Sequence, residues 1–106
     1  LIRQGKETTA LASLIRAAEL EPSNARFAYV AGVAMNSIGK SQDAINSLQS
    51  AHLRHPNNVE ILFALVTINR DMGQKNNARE WAGKLLALNP GDQQARSLFY
   101  SLEASN

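Results

Sequence analysis

The 106 residues contain no cysteine. That excludes disulfides, a thiol nucleophile and any metal site built on cysteine, and leaves the redox compartment open. No apolar run approaches the roughly 18 residues that a membrane span needs. Neither sign of charge dominates: eleven basic and nine acidic residues give +2, scattered along the chain. This is too weak a balance to point to nucleic acid. A glycine-rich phosphate loop and a nucleophile–base arrangement are both missing, so nothing indicates an enzyme or a cofactor. What is present is a hydrophobic content of 44%, which excludes disorder by composition, in a chain long enough for one domain with a core.

The prolines and glycines are few but ordered. The stretch 39–56, GKSQDAINSLQSAHLRHP, recurs at intervals of 34 residues. Moved back one interval, Gly39, Lys40, Ala44, Leu48, Ala51 and Pro56 fall on Gly5, Lys6, Ala10, Leu14, Ala17 and Pro22. Moved forward, they fall on Gly73, Gln74, Ala78, Ala82, Leu85 and Pro90. All three prolines and three of the six glycines lie on this lattice. Each glycine marks a turn, and each proline closes the helix before it.

Between these marks the apolar residues follow helical spacing, and no strand pattern appears. About six helices are predicted: 7–20, 25–38, 41–55, 59–72, 75–89 and 93–104. Asn24, Ser41, Asn58 and Asp92 are placed as N-caps. The inward residues include Phe27, Ala31, Gly32 and Met35 in the second helix, and Leu62, Leu65, Val66 and Met72 in the fourth. Leu86 and Leu88 are placed inward in the fifth. Gly32 costs roughly 1 kcal/mol inside a helix, a cost that close approach to a second small residue, Ala44, would offset. Asn69 falls on an inward position and needs a buried hydrogen-bond partner. The expected architecture is an all-α solenoid of antiparallel helix pairs: a partial repeat 1–24, full repeats 25–58 and 59–92, and a terminal half repeat 93–106. Leu1 is not a Met and falls in the middle of a repeat, so the chain is expected to be a piece of a longer protein.

A helix–turn–helix unit of 34 residues with these small residues and prolines resembles the tetratricopeptide repeat over essentially the whole chain. The resemblance implies a right-handed superhelix and a protein-interaction module. It also implies that the first helix of each pair lines a concave groove for a peptide or a partner protein. The ligand-facing positions it implies are Arg26, Tyr29, Val33 and Asn36, then Glu60, Phe63, Thr67 and Arg70, then Gln94, Ser97 and Ser101. Tyr29 and Phe63 are one period apart and should lie side by side; an aromatic anchor beside an arginine suits peptide recognition. The alternative is that these rings only shield the inner face. The family's carboxylate clamp uses Lys and Asn, but the corresponding positions here are Tyr29, Val33, Ala64, Gln94 and Leu98, so that ligand class is not expected.

The words ARFAYVAGVAMNSIGK and HPNNVEILFALVTINRDMG also resemble the C-terminal repeat segment of some bacterial multihaem c-type cytochromes. That resemblance implies a non-redox docking or scaffold domain in the periplasm; without it, a cytoplasmic location or a structural spacer without a ligand is open. His52 and His55 are three apart on one helix, but no third ligand is evident, and a cation in a last turn complements the helix dipole. Trp81 is expected to pack across a seam between repeats. Leu11, Ile15 and Ala18 form an apolar stripe without an evident partner in the chain, which suggests a homodimer through the N-terminal helices.

Overall fold

The computed structural model describes residues 23–104, together with 12, 13, 16, 17, 20 and 21. The expected dimer stripe of Leu11, Ile15 and Ala18 lies outside the described residues. Five helices follow one another, α1 (Ala25–Ser37), α2 (Ser41–Arg54), α3 (Val59–Asp71), α4 (Lys75–Leu88) and α5 (Gln93–Ala104), with no strand among the described residues. Backbone at 12, 13, 16, 17 and 20 is also helical.

Each first helix of a pair starts on a side-chain cap. The Asn24 side chain accepts from the Phe27 amide at 3.2 Å, and that of Asn58 from the Ile61 amide at 3.0 Å. Asp92 does the same for Gln94 at 3.0 Å. α1 and α3 also end identically. Gly39 and Gly73 have φ of +87° and +80°, a left-handed conformation in which glycine carries no steric penalty. The next residues, Lys40 and Gln74, each donate an amide hydrogen bond of 2.9 Å to a carbonyl five back, on Met35 and Asn69. The second helices stop at His55 and Asn89, each followed by proline.

Ser41 is not a cap. It is the first residue of α2, its hydroxyl donates to Asn36 Oδ1 at 2.7 Å, and Lys40 occupies the cap position without a side-chain bond. Met72 and Leu88, expected inside, are 38% and 40% exposed. They stand at helix ends, where an apolar periodicity runs on past the last turn that the neighbouring helix covers.

α1 packs on α2, α3 on α4, and α5 on α4; between pairs, α3 meets both α1 and α2. The core divides into two clusters. One joins Met35, Ala44, Ile45 and Leu48 to Ile61, Ala64, Leu65 and Ile68. The other joins Leu62 and Val66 to Ala78, Ala82, Leu85, Ala95 and Leu98. α3 therefore supplies both, from opposite sides of one helix. Trp81, half-buried, packs against both clusters as well, the seam role expected for it.

Gly32 does allow close approach, but to a different neighbour from the one expected. A β-carbon there would stand 2.6 Å from Leu48 Cγ, so the contact is with the branched leucine and not with Ala44. Asn69 is 1% exposed and is satisfied within its own helix, its side-chain amide donating to the Leu65 carbonyl at 2.7 Å.

Candidate interaction groove

The candidate site lies on α1, α3 and α5, the first helices of successive pairs. α1 and α3 pack directly, which brings residues one period apart into reach of each other. The clearest case is Arg26 and Glu60, separated by 34 residues: the Arg26 guanidinium donates to a Glu60 carboxylate oxygen, joining α1 to α3 in an ion pair. The same guanidinium carbon sits 5.4 Å from the centroid of the Tyr29 ring, a cation–π contact. The hydrogen bond it donates to Glu60, and then the Glu60 charge, hold Arg26 above its ordinary pKa. Arg26 is thus committed on two sides.

Tyr29 is half-buried against the first core cluster and Phe63 half-buried against the second. Each ring is anchored at its base by core packing and keeps an accessible part. Val33, one turn after Tyr29 on α1, is 41% exposed, a large apolar side chain in the open. The polar members of the set are mostly turned inward on their own elements. Thr67 Oγ1 donates to the Ala64 carbonyl at 3.2 Å, and Ser101 Oγ, one period on, to the Leu98 carbonyl at 2.9 Å. Asn36 accepts from Ser41, and Arg70 Nε donates to Asp71 at 3.2 Å.

Gln94 and Ser97 are exposed on α5, which packs on α4. Ser97 lines an open depression of about 480 Å³ together with Gly91, Gln93, Arg96 and Tyr100. Arg96 and Tyr100 were not singled out by sequence. The repeat lattice does mark them: they stand where the earlier pairs have Ala28 and Gly32, then Leu62 and Val66, all four buried. The Arg26–Glu60 pair was legible in the same way, as opposite charges one period apart at a groove position.

On the second helices, the His52 ring meets Trp81 edge-on at 5.2 Å between centroids, and Lys84 Nζ lies 4.9 Å from the Trp81 centroid. Burial, and secondarily the Lys84 charge, push His52 below its ordinary pKa. Among the described residues, no three His, Asp or Glu side chains gather where they could hold a metal. No helix among them is long and apolar enough to cross a membrane.

Paired helices stacked at a fixed 34-residue interval define a helical-repeat solenoid. The fold is that of tetratricopeptide-repeat proteins, on the 34-residue lattice of the sequence and the likeness to solved structures. It is similar to a thermophilic tetratricopeptide-repeat protein of Thermus thermophilus, at 26% identity over 95% of this chain and 52% of that one, with a TM-score of 0.83. It is similar in fold to the type III secretion chaperone SycD of Yersinia enterocolitica, solved with a peptide of the translocator YopD. That match has 14% identity over 98% of this chain and 85% of that one, with a TM-score of 0.82. A third likeness is to the second tetratricopeptide-repeat domain of human RPAP3, solved with the HSP70 peptide SGPTIEEVD. It has 22% identity over 96% of this chain and 85% of that one, with a TM-score of 0.78. No protein-family model matches the sequence, and no curated protein matches it.

Proposed function

We propose that the chain is a protein-interaction module that holds a peptide, or an extended segment of a partner protein, along the face of α1 and α3 and onto α5. The observation that carries this reading is the pair of ring anchors: Tyr29 and Phe63, one period apart, are each half-buried against a core cluster and keep an accessible part. Rigid, half-buried aromatics of this kind contribute most of the energy at protein interfaces. Arg26, Val33, Asn36, Glu60, Thr67, Arg70, Gln94 and Ser97 are the surrounding contact residues. Two of the similar folds, SycD and RPAP3, were solved with bound peptides, which supports the same class of ligand here.

The test is selection from a displayed library of random twelve-residue peptides, using the folded protein as bait. Tyr29→Ala combined with Phe63→Ala should weaken the selected peptides by more than about 2 kcal/mol while leaving the helical circular dichroism intact. Equal binding by the double variant would move the site off this face.

A further inference from the structure

The charges on this face are arranged in a way that specifies its ligand more narrowly. On α1 and α3 the cations are Arg26 and Arg70, and each is already met by a carboxylate. Arg26 pairs with Glu60 across the two helices and rests on the Tyr29 ring, and Arg70 pairs with Asp71 beside it. The groove hydroxyls of Thr67 and Ser101 donate to carbonyls of their own helices, and the Asn36 side-chain oxygen accepts from Ser41. What remains open between these groups on α1 and α3 is apolar: Val33 and the accessible parts of Tyr29 and Phe63.

We infer that this face takes an extended, uncharged peptide segment bearing apolar side chains, and that Glu60, by holding Arg26, is the residue that keeps acidic segments out. The inference rests on the groove reading above and deepens it. A carboxylate arriving beside Tyr29 would give up its hydration and meet Glu60 at the guanidinium it needs. A basic side chain would meet Arg26 at Glu60 in the same way. An uncharged segment displaces neither partner, and its apolar side chains gain contact with the rings and with Val33. Like-charge juxtaposition is a general means of rejecting wrong partners, and a matched pair that crosses two repeats applies it to both signs at once.

The same peptide selection tests this, read now by charge. The unmodified protein should enrich peptides of zero net charge with aromatic or branched apolar residues. Their binding should change little between low and high salt. Glu60→Gln frees Arg26 and should shift the enriched set toward acidic peptides, raising affinity for a given acidic peptide by about tenfold at low salt. Arg26→Gln should shift it toward basic ones. Both variants alter exposed side chains, and circular dichroism will confirm that they fold. If the unmodified protein enriches charged peptides through Tyr29 and Phe63, or if Glu60→Gln leaves the enriched set unchanged, the charge selection is wrong while the groove stands. If enrichment is absent, or indifferent to Tyr29 and Phe63, both readings fall.

Discussion

Gly32 is the residue whose replacement has the most calculable outcome. Its missing side chain is filled by Leu48, whose Cγ, Cδ2 and Cδ1 would lie 2.6, 2.7 and 2.9 Å from a β-carbon. Leu48 is fully buried and has nowhere to retreat. Gly32→Ala gains about 1 kcal/mol of helix propensity. It should nonetheless lose about 1–3 kcal/mol to overpacking, a net loss of up to about 2 kcal/mol. Leu48→Ala should cost about 2–5 kcal/mol through the cavity it leaves. The double variant should be more stable than the sum of the two, because each change relieves the defect of the other. Urea unfolding of the four proteins measures the coupling, and strict additivity would contradict the contact. The sequence showed that Gly32 must be close to something. It could not show what, because periodicity assigns a residue to a face of its helix and leaves the sliding of one helix along another undetermined. The same limit explains Ser41, whose residue type suits a cap but whose hydroxyl is taken by Asn36.

At the level of the helices, starts and turns were the most legible features. Asn24, Asn58 and Asp92 cap as their side chains dictate, and Gly39 and Gly73 adopt the left-handed conformation that their repeat position implies. The stops of α2 and α4 were blurred by a residue, since proline limits the end of a helix without defining its last turn. Contacts between helices of different pairs were partly legible: Trp81 was expected at a seam, but the His52 and Lys84 that join it there, from α2 and α4, were not. The consequence of this grouping is a dependence on pH. Folding disfavours the charged form of His52, by burial first and by Lys84 second, so its folded pKa lies below the unfolded value near 6.5. The unfolded chain therefore binds the proton first as pH falls, and stability present above about pH 7 declines through the unfolded value. His52→Gln should flatten the fall in melting temperature between pH 7.5 and 5, and Lys84→Gln should flatten it less. An unchanged slope in His52→Gln would place the acid sensitivity elsewhere.

For the molecule as a whole, the division of the core into two clusters matters more than its size. Solenoids are stabilised by nearest-neighbour interfaces, and cooperativity survives only while those interfaces hold. Trp81 touches both clusters. Trp81→Ala should cost about 3 kcal/mol, near the lower end for a large ring because Trp81 is only half-buried. It should also broaden the urea transition or divide it in two, with a lower apparent m-value. A sharp single transition at reduced midpoint would show that α3 alone keeps the clusters together. α3 is the other element common to both, and seven of its thirteen residues are buried. A helix clamped on both sides has no route to water short of unfolding its neighbours. Its amide protons between 61 and 69 should accordingly exchange with solvent last, and those of α5 much earlier. This ordering in time bears on the groove. A ligand seated on Phe63 and Thr67, as proposed above, would rest on the slowest-opening part of the molecule, and its departure would be timed by its own contacts and not by fraying of the ends.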